Sequence, residues 1–187
     1  MAQYNIIAEN ENYTIVSDYE AVYRTSEKYQ TEAQLEQELI KNLTEQGYEY
    51  LAIHTEKDLV DNLRVQLQRL NDYTFTDSEW ERFFNDVIAN QNEGIEAKTA
   101  KIQEDYIQVL KRDTGETKNI YLIDKRNIHN NYLQVINQYE EEQGNHDARY
   151  DVSILVNGLP LVHIELKRRG VQLKEAFNQI DRYQRDS

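Results

Sequence analysis

Cysteine is absent from the 187-residue sequence, and proline occurs once, at Pro160. The lack of cysteine excludes disulfide bonds, thiolate catalysis and cysteine-ligated zinc. The sequence also has no apolar run approaching the roughly 20 residues that span a bilayer. Residues 1–10 lack the basic start and the continuous apolar stretch of a secretion signal. These absences predict a cytoplasmic protein with no membrane partner.

Positive charge is also scarce, with 21 Lys and Arg against 34 Asp and Glu and a formal net charge of −13. An acidic protein is not expected to hold nucleic acid tightly, because phosphates are neutralised by basic groups. The charge is uneven, however. Residues 146–187 contain seven Lys or Arg and six Asp or Glu, so the acidity lies outside this C-terminal segment.

Helical and strand-like segments alternate along the chain, which is typical of α/β proteins. Thr31 is a good N-cap for a first helix that ends at Gly47, a natural C′ residue. Residues 48–54 follow as a predicted strand.

The remaining pattern predicts one α/β domain over residues 1–187, with a helical insertion over about 55–100. Strand-like segments follow the insertion, and the last segment is again helical. That helix has no terminating signal before Ser187. We therefore expect the chain to be a fragment of a longer protein.

Residues 150–156 and 161–167 have the pattern of two strands joined by a turn, which predicts a β-hairpin. A two-residue turn would set polar residues against apolar ones across the sheet. A three-residue loop, in which Gly158 adopts the left-handed conformation, pairs like with like and sets Val152 against Ile164. Since a slip of one residue turns every side chain to the other face, we predict the second register.

This register places the carboxylates of Asp151 and Glu165 opposite each other, about 5 Å apart at Cβ. Lys167, two residues after Glu165, points to the same face. Carboxylates this close destabilise a hairpin unless a cation compensates, and Mg²⁺ takes one or two carboxylates while keeping several waters. With a lysine beside the ion, the group can hydrolyse a phosphodiester by metal assistance. A solvated face with a surface ion pair is the alternative explanation.

The same residues resemble a known nuclease motif. Tyr150-Asp151, followed after thirteen residues by Glu165-Leu166-Lys167, resembles the PD-(D/E)XK motif, with tyrosine in place of proline. The resemblance implies a restriction-endonuclease-like core with a mixed central sheet flanked by helices. It implies that Asp151, Glu165 and the Leu166 carbonyl bind Mg²⁺, for which Mn²⁺ can substitute. Lys167 would position the attacking water or stabilise the phosphorane-like transition state.

The next helix extends the resemblance. Gln179 and Tyr183 match the Q-x-x-x-Y extension of RecB-like nucleases. They share a helix face, where they would orient the site or the DNA backbone; solvation or packing is the alternative. More specifically, residues 149–167, 175–180 and 32–48 resemble the N-terminal region of the motor subunit of type I restriction enzymes.

Sites of this family usually include an acidic residue from the first helix. Counted from Leu35, Glu32 falls at about 60° and Glu36 at about 100°, inside the apolar stripe, whereas Glu38 falls at about 300°, outside it. An inward carboxylate needs a partner. The candidate is therefore Glu32 or Glu36, with a narrow preference for Glu32.

Other polar residues near the motif have two explanations each. His163, which the predicted register pairs with Ser153, takes part in the chemistry directly or is a paired strand residue. Basic residues around the motif contact DNA phosphates or form an ordinary solvated helix face. The candidates for phosphate contact are Arg168, Arg169, Lys174 and Arg182.

We therefore predict a Mg²⁺-dependent endonuclease domain of a type I site-specific deoxyribonuclease, which cuts duplex DNA after an ATP-driven translocase elsewhere in the subunit delivers it. Methylation and specificity subunits would be its partners. ATP would bind outside this chain, because the sequence has no glycine-rich phosphate loop. The alternatives are a free-standing RecB-like or repair nuclease, and a catalytically silent DNA-binding or subunit-docking module of the same fold.

Overall fold

The computed structural model describes residues 5–9, 14–17, 30–141, 148–168 and 173–186, with side chains over 30–139, 150–168 and 174–181. The strands are β1 (Asn5–Glu9), β2 (Thr14–Ser17), β3 (Glu49–Tyr50), β4 (Ile107–Lys111), β5 (Thr117–Tyr121), β6 (Leu133–Glu141), β7 (Ala148–Val156) and β8 (Leu159–Ile164). The α-helices are α1 (Glu32–Glu45), α2 (Glu56–Asn71), α3 (Asp77–Phe83), α4 (Ile95–Gln103) and α5 (Leu173–Asp186). Within these ranges, no helix is both long and apolar enough to cross a membrane.

The central sheet has four strands in the order β3-β6-β7-β8. β3 runs parallel to β6, whereas β6, β7 and β8 are antiparallel to their neighbours. α1 lies against β3, β6 and β7. The predicted α/β chain with a mixed sheet and helices is therefore confirmed. The strand predicted over 48–54 is shorter than expected: Glu49 and Tyr50 pair with β6, and the Leu51 N–H adds one bond to the Val135 carbonyl.

Helix α1 begins and ends where the sequence predicts. The Thr31 hydroxyl accepts a hydrogen bond from the Gln34 N–H at 3.2 Å, and the Gln34 side chain accepts one from the Thr31 N–H at 2.9 Å. At the other end Gly47 has φ 97°, a left-handed conformation that closes a helix. These caps fix the position of the first turns of α1, which carry Glu32 and Glu36.

The predicted helical insertion lies between β3 and β6. It consists of α2, α3, a π-helical turn over Phe84–Ile88 and α4, and it is followed by an antiparallel ribbon of β4 and β5. The helices occupy the predicted range 55–100, with α4 continuing to Gln103.

Buried apolar side chains form two clusters. The smaller one contains residues of the central sheet and its flanking segments: Ile53, Ile136, Tyr139 and Leu155. The larger one is built mainly by the insertion and the ribbon: Leu63, Leu67, Phe75, Trp80, Phe83, Leu110, Ile120, Leu122 and Leu159. Because Leu159 begins β8, the β7–β8 hairpin joins the insertion to the sheet.

The β7–β8 hairpin has the predicted register but a different turn. Asn157 (φ 52°) and Gly158 (φ 82°) are both left-handed, which is the pattern of a two-residue type I′ turn. A β-bulge at Leu161 then supplies one extra residue, so that Val152 pairs with Ile164 as predicted. The predicted three-residue loop is therefore wrong, because the extra residue lies in the strand rather than in the turn.

Candidate active site

The three residues of the predicted motif meet at the open end of the β7–β8 hairpin. Asp151 lies in β7, and Glu165 and Lys167 follow the end of β8 at Ile164. Asp151 Oδ2 accepts a hydrogen bond from the Leu166 backbone N–H at 2.7 Å. A side-chain bond, rather than the predicted strand pair of Asp151 and Glu165, therefore holds the segment after β8 against β7.

Glu165 and Lys167 form a largely buried ion pair, in which the lysine Nζ donates to Glu165 Oε1. The side chain of Glu165 is 4% exposed and that of Lys167 is 19% exposed. The two residues therefore do not form the solvated surface pair of the alternative explanation.

Burial and neighbouring charges perturb both groups. Burial raises the pKa of Glu165; the charge of Asp151 adds to this effect, and the hydrogen bond from Lys167 opposes it. Burial alone would lower the pKa of Lys167. Its hydrogen bond to Glu165, together with the charges of the surrounding carboxylates, nevertheless raises that pKa above its ordinary value. One of those carboxylates is Glu32 of α1.

The two acidic candidates of α1 have different partners. Glu32 is exposed, and its Oε1 accepts a hydrogen bond from the Arg168 N–H at 3.2 Å, which brings it beside Lys167. Glu36 is half-buried and accepts hydrogen bonds from the side-chain amides of Asn137 and Gln138 in β6. Glu32 therefore lies at the motif, and Glu36 as an alternative member of the site is not supported. Glu32 has the partner that an inward carboxylate needs, although it is exposed at an open cavity rather than buried.

That cavity, of about 740 Å³, lies between the start of α1, the segment after β8 and α5. The residues that line it are all polar or charged: Thr31, Glu32, Lys167, Arg168, Glu175, Asn178 and Gln179. The sequence reasoning missed Thr31, Glu175 and Asn178 as site residues. Glu175 could have been predicted, because it lies four residues before Gln179 on the same helix face.

The remaining predicted site residues lie on or before α5. Arg168 and Lys174 are exposed, and Arg168 lines the cavity with Gln179. Arg169 lies outside the described residues, as do the side chains of Arg182 and Tyr183.

His163 has partners within the hairpin. Its Nδ1 lies 2.7 Å from the hydroxyl of Ser153, the residue opposite it in the ladder. Its ring stacks on Tyr150 with 4.0 Å between ring centroids. These contacts support a paired strand residue over a direct role in the chemistry.

Oxygen ligands for a hard cation are available from Asp151, Glu165 and the Leu166 carbonyl. Mg²⁺ in proteins is held by one or two carboxylates and completes its octahedron with water, so this donor set has suitable chemistry. A cation between the carboxylates would also relieve the repulsion that helps to raise the pKa of Glu165. Among the described residues, no group of three or more His, Asp or Glu side chains is arranged to hold a metal ion. The fit therefore depends on two carboxylates, the Leu166 carbonyl and water.

Comparison with known proteins identifies the relatives of the chain. The model of the type I restriction enzyme R protein N terminus matches residues 29–187. The type I restriction enzyme EcoprrI endonuclease subunit of Escherichia coli is 48% identical over 182 residues, which cover 97% of this chain and 58% of that protein. The type I restriction enzyme SsaAORF53P endonuclease subunit of Staphylococcus saprophyticus is 40% identical over 164 residues, or 85% of this chain and 17% of that protein.

A relative of lower sequence identity also matches the chain. The putative type I restriction enzyme MjaVIIIP endonuclease subunit of Methanocaldococcus jannaschii is 30% identical over 137 residues, which cover 67% of this chain and 13% of that protein. The chain thus spans 58% of the E. coli relative and smaller shares of the other two. The family match includes every described residue of the candidate site, from Thr31 to Gln179. The chain therefore belongs to the family of type I restriction enzyme R protein N-terminal domains.

Proposed function

We propose that this chain is the Mg²⁺-dependent nuclease domain of a type I restriction enzyme R subunit and that it hydrolyses phosphodiester bonds of duplex DNA. The observation that carries the proposal is the meeting of Asp151, Glu165 and Lys167 beside an open polar cavity. The relatives support it, since they are named endonuclease subunits.

The proposal includes a PD-(D/E)XK core. β6, β7 and β8 form an antiparallel meander, with Asp151 in its middle strand and the Glu165–Lys167 segment directly after its last strand. α1 precedes this meander and packs against it, and α5 follows it. In the sequence, the helical insertion lies between β3 and β6 and therefore does not interrupt the motif.

Each residue of the motif has a separate task in the proposed reaction. Asp151, Glu165 and the Leu166 carbonyl would hold Mg²⁺, which polarises the phosphate and lowers the pKa of a bound water. Lys167 lines the cavity, where its ammonium group would contact the scissile phosphate or the attacking water. The Leu166 N–H fixes one oxygen of Asp151, which leaves the other oxygen of that carboxylate for the metal.

The walls of the cavity would receive the substrate. Glu32 and Gln179 would orient the site, and Arg168 and Lys174 would contact DNA phosphates. The roles of Tyr183, Arg169 and Arg182 follow from the family resemblance alone. ATP-driven translocation by the rest of the subunit, with methylation and specificity subunits as partners, belongs to the same proposal.

Substitution of the motif in the assembled restriction enzyme tests the proposal. We expect Asp151→Ala, Glu165→Ala and Lys167→Ala each to slow DNA cleavage by at least about 10²-fold, because each removes a group that stabilises charge in the transition state. ATP hydrolysis by the same complexes should be retained. Lys57→Ala is the matched control, because Lys57 forms an exposed ion pair with Asp61 in α2.

Undiminished cleavage with any of the three substitutions would contradict the assignment. Calorimetry of the 187-residue chain with Mn²⁺ adds a second measurement. Absence of binding, or binding that Asp151→Ala leaves unchanged, would favour a catalytically silent module.

A further inference from the structure

A chain of polar side chains connects α1 to β6 beside the motif. Glu36 Oε1 accepts a hydrogen bond from the Asn137 side-chain amide at 2.5 Å, and its Oε2 accepts one from the Gln138 amide. The side-chain oxygen Oδ1 of Asn137 in turn accepts a hydrogen bond from the Tyr50 hydroxyl of β3 at 2.9 Å. Both oxygens of Glu36 are therefore bound to consecutive residues of one strand.

Gln138 has an unusual backbone conformation for a strand residue. Its φ is 54°, in the left-handed region that side chains other than glycine and asparagine rarely adopt. Such strain persists only where surrounding contacts enforce it, and it is concentrated at functional sites. The carboxylate of Glu36 is a contact of this kind, because it binds the side chain of the strained residue and that of its neighbour.

The strained residue faces the motif. The β6–β7 ladder pairs Asn137 with Val152 and Tyr139 with Tyr150, and this register places Gln138 opposite Asp151. The β7 backbone at Asp151 therefore lies opposite the left-handed residue of β6.

α1 is bonded to the segment after β8, which carries Glu165 and Lys167, and to β6, which pairs with the strand that carries Asp151. One turn before Glu36, Glu32 accepts the hydrogen bond from the Arg168 N–H, in the segment after β8. Glu36 is bound to β6, the strand that pairs with β7. The helix thus spans the two sides of the site with two carboxylates.

We propose that Glu36 is a positioning residue that holds the left-handed kink at Gln138 and thereby fixes Asp151 against Leu166. It acts through the β6 backbone and contacts neither metal nor substrate. Its effect on cleavage rests on the proposed function; its effect on the position of Asp151 does not.

Amide hydrogen exchange of the 187-residue chain tests the positional part, because the Leu166 N–H is bonded to Asp151 Oδ2. We expect Glu36→Ala to accelerate exchange of the Leu166 amide at least tenfold more than exchange of the Leu67 amide in the α2 core. Glu38→Ala is the matched control, since Glu38 is an exposed residue of the same helix. Equal acceleration at Leu166 and Leu67, or no acceleration at Leu166, would overturn the proposal.

Gln138→Gly provides a second variant, which tests whether Glu36 acts through the kink. Glycine adopts φ 54° without strain. The left-handed conformation at position 138 then depends less on the hydrogen bonds of Glu36. Adding Glu36→Ala to Gln138→Gly should therefore change Leu166 exchange by a smaller factor than it does in the natural chain. An equal factor in both backgrounds would show that Glu36 does not act through the kink.

In the assembled enzyme we expect Glu36→Ala to lower the cleavage rate at saturating DNA while KM for DNA stays within twofold. A changed KM with an unchanged rate would overturn the positioning role. If Asp151→Ala leaves cleavage intact, the proposed nuclease function fails, whereas the exchange result still decides whether Glu36 positions Asp151.

Discussion

Gly158 is required both by the backbone conformation of the turn and by close packing against α2. Its φ of 82° is left-handed, and a Cβ atom built on it would lie 2.6 Å from the Cα of Leu63 in α2. Gly115 has a similar φ of 85°, but such a Cβ there would meet nothing within 4 Å. The two glycines therefore separate the cost of backbone conformation from the cost of close packing.

We expect Gly158→Ala to destabilise the protein more than Gly115→Ala. Both substitutions place a Cβ in the left-handed conformation, at a cost of about 1–2 kcal/mol. Gly158→Ala also forces the turn away from the α2 backbone, which adds about 1–3 kcal/mol. Urea denaturation gives the two free energies of unfolding. Equal losses in the free energy of unfolding would mean that α2 does not pack closely against the turn.

The sequence could narrow the acidic residue of α1 to two candidates and favoured Glu32 over Glu36 only narrowly. Helical spacing gives the direction of a side chain and says nothing about its partner. The partners of Glu36 are amides of β6, beginning with Asn137, 101 residues away. Only the register of a distant strand decides that Glu36 is bound there and that Glu32 is left at the cavity.

Among the structural elements, α3 and the β4–β5 turn are linked by the buried carboxylate of Glu79, in addition to the exposed carboxylate of Asp113. Glu79 accepts hydrogen bonds from the Tyr73 hydroxyl at 2.8 Å, the Thr76 N–H at 3.1 Å and the Asp113 N–H at 3.0 Å. Burial raises its pKa, but these hydrogen bonds outweigh burial and lower the pKa below the ordinary 4.5. The charged form therefore stabilises the fold above pH 4.5, and this contribution is lost as the pH falls through the lowered value.

We expect Glu79→Gln to cost about 1–3 kcal/mol at neutral pH, because an amide nitrogen would face a donor that the carboxylate satisfies. The difference from the natural protein should shrink in acid, where Glu79 itself becomes protonated. Urea denaturation at neutral pH and in acid measures this difference in the free energy of unfolding. Glu81→Gln, on the exposed face of α3, is the control. A difference that stays constant with pH would contradict the role of the charge.

The β7–β8 hairpin shows which features of an element the sequence contains. Apolar pairing across the strands fixes the register, so the pairing of Val152 with Ile164 was predictable. The turn was not, because a three-residue loop and a two-residue turn with a bulge supply the same extra residue. Side-chain pattern alone does not distinguish these backbones. The local left-handed conformation of Asn157 does.

For the whole molecule, Leu159 is the residue by which strand β8 of the central sheet packs into the larger apolar cluster. It is 6% exposed and packs with the insertion, whereas Leu161 in the same strand is 40% exposed. We expect Leu159→Ala to cost about 2–5 kcal/mol and Leu161→Ala less than half as much. Trp80, the one tryptophan, lies in the larger cluster and reports on the insertion.

Because Leu159 of β8 packs with the insertion, we also predict that the insertion and the central sheet unfold together. In urea, Trp80 fluorescence and far-ultraviolet circular dichroism should give the same midpoint for the natural chain. Two separate transitions would mean that the hairpin does not couple the clusters.

The charge of the whole chain predicts weak binding to its proposed substrate. With a net charge of −13, the isolated chain should bind duplex DNA more weakly than about 10⁻⁴ M at physiological salt. Fluorescence anisotropy with a labelled duplex measures this, and we expect little cleavage by the isolated chain under the same conditions. Micromolar binding would show that the basic residues around the cavity suffice without the rest of the subunit.

The contact between the β7–β8 turn and α2 has a consequence for the evolution of the family. While α2 lies across the turn, glycine is the residue that fits at position 158. In a relative whose insertion has been lost or docks elsewhere, asparagine or aspartate becomes admissible there, since both tolerate a left-handed backbone. The residue at this one position in a newly sequenced gene should therefore report whether the inserted helices rest on the β7–β8 hairpin.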